Sequence, residues 1–410
     1  MYILLKQLTH NFAKLITNAL CIMFNDCILI LFLSCEIVQA VVKNLIIDTD
    51  IFSDVDDAAA LLLGATLPGV NLLGVNVNYP STYSVLATSA ILAHYGHPYV
   101  PISAQRPLNN NTFLDTLNFE KGEYCSKVAY HWSGGSLPWG KAENAWLPVD
   151  LYRRLLANAD DRSVTIVSIG FLDSLSALLN STADSYSSLD GRTLIKLKVN
   201  ELVIMGGDYP KGHSWNFWGS NSALSAHVVN TWDGRITFIG GEVGKHVLTG
   251  GSLMAKGPYS DPVRMSYIYY TYLNMHASWD PLAIMYAAYG LGDLFEFGNQ
   301  HGYNHVEPNG TNNWIDDPSK VEQHYLHLKT SESKAAAKLD KLYLHAARKF
   351  SYKKPVRPPQ LVKAPRIDHS EFSLWTVIGW TFMLAGVVAI AFLIHDTRVL
   401  RTWWNRVRVS

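Results

Sequence analysis

Short apolar runs alternate with amphipathic segments through the middle of the chain. Five runs rich in β-branched residues predict buried strands, at residues 41–47, 70–77, 163–169, 199–205 and 235–239. Seven segments of helical period separate or follow them, at residues 58–67, 83–95, 149–159, 172–179, 222–232, 261–275 and 280–289. This alternation predicts an α/β domain with a mostly parallel sheet flanked by helices.

The first forty residues have the pattern of a targeting segment. Residues 18–40 are mostly apolar, and the small residues Val38 and Ala40 stand at the positions that signal peptidase recognises. Residues 1–40 therefore predict a signal peptide. An uncleaved signal anchor is the alternative, because the segment before the apolar run is long and Asp26 interrupts the run.

The other end of the chain has the pattern of a membrane anchor. Residues 374–394 carry no charge over the length of a transmembrane helix, and a buried soluble helix is the alternative. The basic residues 395–410 predict a cytoplasmic tail, and residues 351–373 predict a proline-rich linker. Residues 41–350 would then form an ectodomain, extracellular or in the secretory or vacuolar lumen, of a single-pass type I membrane protein. Three N-glycosylation sequons agree with that location, at Asn110, Asn180 and Asn309.

Composition argues against nucleic-acid binding and against sites built from cysteines. Lys and Arg total 34 and Asp and Glu total 34, so the formal net charge is zero and predicts no nucleic-acid partner. Of the four cysteines, three lie in the N-terminal apolar segment and Cys125 alone belongs to the predicted ectodomain. A disulfide framework or a cysteine-rich metal site inside that domain is therefore excluded.

One loop concentrates negative charge directly after the first predicted strand. It contains five aspartates within ten residues, Asp48, Asp50, Asp54, Asp56 and Asp57. No Lys or Arg occurs between residues 44 and 105, so no cation nearby in sequence neutralises them. Oxygen ligands suit calcium, and the lack of a nearby Cys or His pair argues against zinc. We therefore predict a calcium site; the alternative is a solvated loop in which Asp54 caps the following helix.

Seven short motifs follow one another along the predicted domain. They are Asp48-Thr49-Asp50, Asp56-Asp57, Leu73-Gly74-Val75, Gly170-Phe171-Leu172, Met205-Gly206-Gly207, Gly241-Glu242-Val243-Gly244 and Trp279-Asp280-Pro281. In this order they resemble the inosine-uridine-preferring nucleoside hydrolase family, with a gap between the first two motifs that is two residues longer than the commonest form. The resemblance covers residues 42–289 and implies that family's Rossmann-like open sheet.

The resemblance also implies a catalytic arrangement. The implied calcium ligands are the side chains of Asp50, Asp57 and Asp280 and the backbone carbonyl of Ile169. Asp50 would in addition be the general base for the attacking water, and Asp56 and Asn216 would hold the sugar. Clustered carboxylates would stabilise the oxocarbenium character that develops when an N-glycosidic bond breaks.

Three positions depart from the family pattern. Trp279 stands where many relatives have His, Ser214 where they have Glu, and Ser81 where they have Asn, although Asn78 is close by as a substitute for substrate binding. Trp279 is a candidate to stack on the base, and a core tryptophan is the alternative. These changes leave the identity of the leaving-group acid and the preferred base open.

Four further residues are secondary candidates. His276 precedes Asp280 by four residues, so it would share a helical face with it as an acid, or be a structural histidine. Glu242 would be a hydrogen-bond partner near the site or a helix N-terminal acid. Asp48 and Asp54 complete the acidic loop, either behind the metal ligands or, for Asp54, as a helix cap.

These observations predict calcium-dependent hydrolysis of the N-glycosidic bond of ribonucleosides, giving ribose and free base. The alternative is a catalytically weak nucleoside- or sugar-binding membrane protein on the same fold, which the changes at Ser214 and Trp279 favour. A phosphatase-type hydrolase is less favoured, because no downstream Lys has the context that such chemistry requires. The predicted partners are a small-molecule nucleoside and the membrane, through the C-terminal helix; homo-oligomer formation stays open.

Overall fold

The computed structural model describes residues 42–52, 54–112 and 122–357. The chain divides into two units, Met1–Pro359 and Gln360–Ser410, and the described residues lie in the first. The predicted signal peptide, the apolar segment 374–394 and the basic tail lie outside the described residues. Within the described ranges, no helix combines the length and the apolar character needed to cross a membrane.

An eight-stranded sheet lies at the centre of the domain. Its strands are β1 (Lys43–Thr49), β2 (Val70–Val77), β3 (Ile102–Ala104), β4 (Val164–Ser168), β5 (Val199–Met205), β7 (Ile236–Ile239), β8 (Phe295–Phe297) and β11 (Gln323–Leu328). They are arranged in the order β3-β2-β1-β4-β5-β7-β11-β8, and every pairing is parallel except that of β8 with β11. The predicted mostly parallel sheet is thus confirmed.

Helices cover both faces of this sheet. They are α1 (Asp56–Thr66), α2 (Thr82–His94), α3 (Cys125–His131), α4 (Pro148–Ala157), α5 (Asp173–Leu179), α6 (Gly191–Lys198), α7 (Trp215–Trp218), α8 (Ser222–Thr231), α9 (Gly241–Gly244), α10 (Gly251–Lys256), α11 (Pro262–Thr271), α12 (Asp280–Tyr289) and α13 (Glu332–Lys349). On β1, Leu45 and Ile47 join one hydrophobic core while Ile46 joins a second. Because side chains alternate across a strand, burial of both faces explains the uninterrupted apolar runs in the sequence.

A small antiparallel sheet lies beside the end of β5. It consists of β6 (Lys211–Gly212), β9 (Tyr303–Val306) and β10 (Asn312–Ile315), in the order β6-β10-β9. The backbone N–H of Trp314 donates to the carbonyl of Pro210 at 2.7 Å, and the Nδ2 of Asn312 donates to the carbonyl of Asp208 at 2.9 Å. This sheet therefore fixes the chain where it leaves β5.

One helix ends earlier than the sequence pattern predicts. The segment 261–275 was expected to be helical throughout, but α11 ends at Thr271, and Tyr272 and Leu273 adopt φ angles of 50° and 76°. L-residues in this left-handed region cannot continue a right-handed helix. His276 consequently lies in a loop, where its backbone pairs with Thr249, and the prediction that it shares a helical face with Asp280 is wrong.

Candidate functional site

The carboxyl ends of β1, β4, β5 and β7 border one pocket of about 470 Å³. Ligands of open parallel sheets bind at this edge, and the volume is typical of a small-molecule site. Acids dominate the polar lining, which contains Asp50, Asp54, Asp56, Asp57, Asp208, Glu242 and Asp280. Lys245 is the one Lys or Arg among the described lining residues, so the carboxylates greatly outnumber the cations.

Three of these acids form a compact, buried group. Asp56, Asp57 and Asp280 each place a carboxylate oxygen within 4.8 Å of the other two. Asp56 and Asp57 open α1 directly after the β1 loop, whereas Asp280 opens α12 from the far part of the chain. We call Asp56, Asp57 and Asp280 the aspartate cluster.

Backbone hydrogen bonds bring the two helix ends together. One carboxylate oxygen of Asp56 accepts the backbone N–H groups of Trp279 at 2.9 Å and Asp280 at 3.1 Å. The hydroxyl of Thr49 donates to Asp57 and accepts the N–H of Ile51 at 3.1 Å. Asp56 therefore accepts hydrogen bonds from backbone N–H groups at the start of α12. These groups have no acceptor within their own helix.

Asp50 borders the same pocket from the end of β1. Its oxygens fall outside the compact group. Burial raises the pKa of both Asp57 and Asp280, and the negative charge of Asp50 raises both values further. Gly170, after β4, makes room for it: a Cβ added there would lie 2.5 Å from the Asp50 backbone nitrogen and 2.8 Å from its Oδ1. Ile169, which follows β4, also lines the pocket, and the residue as a whole is 1% exposed.

Burial gives these acids unusual titration behaviour. It raises the pKa of Asp50 to about 8 and that of Asp56 to about 7, in both cases with a further contribution from the charge of Asp54. Burial and neighbouring carboxylates also hold the pKa values of Asp57 and Asp280 well above the usual range. Such a group is stable at neutral pH only with bound protons or a cation. An all-oxygen set of carboxylates and a backbone carbonyl fits a hard divalent ion such as calcium.

Asp48 and Asn78 lie behind the pocket wall rather than in it. Asp48 is fully buried and accepts hydrogen bonds from Asn76 at 2.8 Å, Asn78 at 2.6 Å and the hydroxyl of Tyr152 at 2.8 Å. The amide of Asn78 also donates to the carbonyl of Phe171 at 2.8 Å. Asn78, expected to contact substrate, is instead 2% exposed and joins β1 to the turn after β4.

Asp54 and His276 form a polar bridge over the edge of the cluster. The Nε2 of His276 lies 2.5 Å from the Oδ1 of Asp54, and the imidazole meets the rings of Tyr270 and Trp279 edge-on. Asp54 lines the pocket, but it does not provide the N-cap of α1, where Val55 stands without a side-chain cap. Asp54 therefore links the β1–α1 loop to the loop before α12.

Trp279 and Asn216 line the pocket, as expected for substrate-binding residues. The indole N–H of Trp279 donates to the carbonyl of Gly241 at 2.7 Å, which fixes the ring against α9. Asn216 is 7% exposed, and its Nδ2 donates to the carbonyl of Met205 at 3.1 Å. Both side chains are thus held by backbone carbonyls at the ends of neighbouring strands.

Sequence reasoning missed several residues of the pocket. Asp208, His213 and Lys245 line it without having been assigned a role, and Glu242 was only a secondary candidate. Their positions in the sequence could have indicated that these residues line the pocket. Asp208 follows Gly206-Gly207 directly after β5, and Lys245 follows the motif that contains Glu242. Sequence alone does not reveal that β5 and β7 are adjacent, and that adjacency brings these residues together.

Comparison with known proteins identifies solved structures that share this fold. No protein-family model and no curated protein sequence matches the chain. Among solved structures, it is similar to a plant nucleoside hydrolase (18% identity, TM-score 0.53), an inosine-uridine-preferring nucleoside hydrolase from Bacillus anthracis (18%, 0.51) and a purine-preferring ribonucleoside hydrolase from Gardnerella vaginalis (17%, 0.52). Each match covers 75% of this chain and 99% of the other, so the described domain has the fold of these structures.

The raised pKa values predict how stability depends on pH when metal is removed. Asp50 and Asp56 have folded-state pKa values of about 8 and about 7 against an ordinary 3.8. Between about pH 4 and pH 8 the folded state therefore binds more protons than the unfolded chain, and the free energy of unfolding falls as pH rises. In chelator, the melting temperature should decrease from pH 5 to pH 8.

Calcium should oppose this trend. At pH 7, calcium at 100 times its dissociation constant should stabilise the fold by about 3 kcal/mol, which raises the melting temperature by roughly 5–10 °C. At that same concentration the increase should be larger at pH 8 than at pH 5, because protons compete with calcium for the carboxylates. A metal-free melting temperature that increases toward pH 8, or indifference to calcium at both pH values, would contradict this account.

The close approach of Gly170 to Asp50 gives a second prediction. Gly170→Ala should displace the Asp50 loop, because a Cβ cannot lie 2.5 Å from the Asp50 nitrogen, and we expect calcium affinity to fall about 10–100-fold. Gly134→Ala is the matched control, since its Cβ would meet no atom closer than 3.6 Å. Calcium-dependent thermal shifts measure both variants, and equal affinities would remove Gly170 from its assigned role.

Proposed function

We propose that this chain is a calcium-dependent nucleoside hydrolase, which cleaves the N-glycosidic bond of ribonucleosides to give ribose and free base. The observation that carries the proposal is the buried aspartate cluster, together with Asp50, in a pocket of nucleoside size. Three solved structures with this fold are nucleoside hydrolases, which supports the same reaction class. Fold alone does not define activity, so the proposal depends on the chemistry of the site residues.

The ion would be held by the side chains of Asp50, Asp57 and Asp280 and by the carbonyl of Ile169. When bound, it would supply positive charge that orients the vicinal ribose hydroxyls and makes a water molecule more acidic. Asp56 would accept a hydrogen bond from a ribose hydroxyl through the oxygen that is not bonded to Trp279 and Asp280.

Asp50 would act as general base and take the proton of the attacking water. The C–N bond breaks as positive charge develops at the anomeric carbon, and the surrounding carboxylates stabilise that charge. The departing base keeps the electron pair of the C–N bond and takes up one proton from solvent, while water supplies the hydroxyl of the ribose product. Trp279, fixed against Gly241, would stack on the leaving base and orient it for departure.

A binding protein on the same fold is the second candidate. Its support is that Ser214 and Trp279 replace the usual Glu and His, which removes two polar groups from the family's pattern. The aspartate cluster and Asp50 would then hold calcium and a sugar without efficient turnover. Saturable nucleoside binding without ribose release identifies this case.

We further propose that the domain is a membrane-anchored ectodomain in the secretory pathway. The sequence of residues 374–394 and the exposed sequon residues Asn110, Asn180 and Asn309 support this placement. N-glycosidase treatment of the full-length chain from a eukaryotic host should reduce its mass. The placement would be refuted if the chain carried no glycans and if salt or carbonate released it from membranes.

Substitution of the proposed base tests the reaction directly. Asp50→Asn should lower kcat for ribose release by about 10²–10⁴-fold, because the amide cannot accept the water proton. The assay is reducing-sugar formation from inosine, uridine, adenosine and cytidine, with calcium and with chelator. Asp160→Asn, an exposed aspartate away from the pocket, is the matched control.

Two outcomes would contradict the assignment. Ribose release by Asp50→Asn at the wild-type rate would remove Asp50 as base. Undiminished release in excess chelator would remove the ion from the reaction. A thermal-shift experiment shows whether Asp50→Asn folds, because an unfolded variant lacks a cooperative melting transition. If Asp50→Asn does not fold, Asp50→Glu is tested in its place.

A further inference from the structure

One of the three N-glycosylation sequons lies beside the wall of the pocket. Asn309-Gly310-Thr311 belongs to the turn between β9 and β10, and Asn309 is exposed. The Nε2 of His213, a residue that lines the pocket, is 3.1 Å from the backbone carbonyl oxygen of Asn309. A group attached to this asparagine would therefore start next to the pocket rim.

The conformation of the turn is well defined. The backbone N–H of Thr311 donates to Oδ1 of Asn309 at 3.0 Å. The N–H of Glu307 donates to the carbonyl of Thr311, and that of Gly310 donates to the carbonyl of Glu307, both at 2.8 Å. Gly310 has a φ angle of 87°, which a glycine adopts without strain. The bond to Oδ1 orients the Asn309 amide, and with it Nδ2, the atom to which a glycan is attached.

An exposed aromatic side chain lies against the same turn. Trp218, the last residue of α7, is 42% exposed. A Cβ added at Gly310 would lie 2.8 Å from the Cβ of Trp218, so the turn and the tryptophan are in close contact. The ring of His213 stacks on the indole at 5.5 Å with an interplanar angle of 4°, and Trp215 meets it edge-on at 4.6 Å. These neighbours hold the indole in place beside the sequon.

The indole and the first sugar of an N-linked glycan have complementary surfaces. The face of a pyranose ring carries C–H groups, so its packing on an indole removes apolar surface of both rings from water. A sugar on Asn309 would not need a long reach, because the next residue, Gly310, already packs against Trp218. Position and chemistry thus match at this sequon.

We propose that Asn309 carries an N-linked glycan whose first N-acetylglucosamine packs on the exposed part of the Trp218 indole. The glycan would stabilise the turn whose carbonyl contacts His213, and it would cover this side of the pocket rim. The inference rests on the secretory-pathway placement proposed above and goes beyond the hydrolase reaction.

Attachment of the glycan joins Nδ2 of Asn309 to the anomeric carbon of the sugar. The donor is an oligosaccharide linked to a lipid diphosphate in the secretory pathway. The amide nitrogen loses one proton, and the lipid diphosphate departs with the electron pair of the C–O bond that breaks. No oxidant or reductant is needed.

The third residue of the sequon offers matched variants. Thr311→Ser keeps the sequon, whereas Thr311→Ala removes it and retains the backbone N–H that bonds Asn309. Each is produced as the full-length chain in a eukaryotic host, alone and combined with Trp218→Ala. The same chains from bacteria, which lack the glycan, correct for the side-chain changes themselves. Asn180→Gln, which removes the sequon at the end of α5, is the control for loss of a glycan elsewhere.

Glycopeptide mass spectrometry and melting temperature are the two measurements. Asn309 should carry a glycan in the wild type and in Thr311→Ser. Loss of the glycan in Thr311→Ala should lower the melting temperature by about 2–4 °C, and in the Trp218→Ala background this decrease should disappear. The effect of Asn180→Gln should be the same with and without Trp218. An endoglycosidase that leaves only the first sugar should preserve the wild-type melting temperature.

Equal decreases for Thr311→Ala in the presence and absence of Trp218 would overturn the proposal. An unmodified Asn309 in a chain glycosylated at Asn110 or Asn180 would also overturn it, and would leave the secretory-pathway placement standing. Absence of glycans at all three sequons would refute that placement and this inference together. Ribose release is measured separately, so none of these outcomes depends on the hydrolase reaction.

Discussion

Mutual repulsion among buried aspartates is the constraint on which this edge of the domain depends. Asp56, Asp57 and Asp280 approach within 4.8 Å of one another, and Asp50 adds a fourth negative charge beside them. Burial leaves little water to screen these charges, and their raised pKa values express that cost. A divalent ion would convert the repulsion into a stabilising interaction, and it would join residues that are more than 200 positions apart in sequence.

The fold brings these acids together through the packing of α1 against α12 in one hydrophobic core and through hydrogen bonds between backbone N–H groups and a carboxylate. β1 lies between β2 and β4, so the loop after it faces the turn after β4, where Gly170 leaves room for Asp50. The same carboxylate that belongs to the cluster, Asp56, accepts the first N–H groups of α12. Movement of α12 would therefore disturb the cluster and the position of Trp279 together, which links the metal site to the proposed contact with the base.

Local patterns in the sequence were sufficient for five of the eight strands of the large sheet and for the acidic loop. The β-branched runs mark β1, β2, β4, β5 and β7 within two residues at each end, because strands buried on both faces must be apolar throughout. Five aspartates without a neighbouring cation were enough to indicate a charged pocket. Proximity in sequence suggested Asn78 as a substrate-binding residue, but it does not show that the amide of Asn78 bonds Asp48 behind the pocket wall.

Features that depend on strand order or backbone conformation were beyond the sequence. The left-handed residues Tyr272 and Leu273 end α11 without a glycine or proline to announce it, and so His276 was placed on the wrong element. The small sheet β6-β10-β9 has strands of two to four residues, too short for a period to be read. Asp208 and Glu242 meet in one pocket only because β5 and β7 are neighbours, which no local pattern encodes.

The most direct test of the central claim is a calorimetric titration of calcium into the metal-free, full-length chain at pH 7, repeated in two buffers with different ionisation enthalpies. We predict one ion bound per chain and a net release of protons, because burial keeps protons on Asp50 and Asp56 until a cation replaces them. Absence of binding, or binding that releases no protons, would contradict the view that a divalent ion neutralises this group of aspartates.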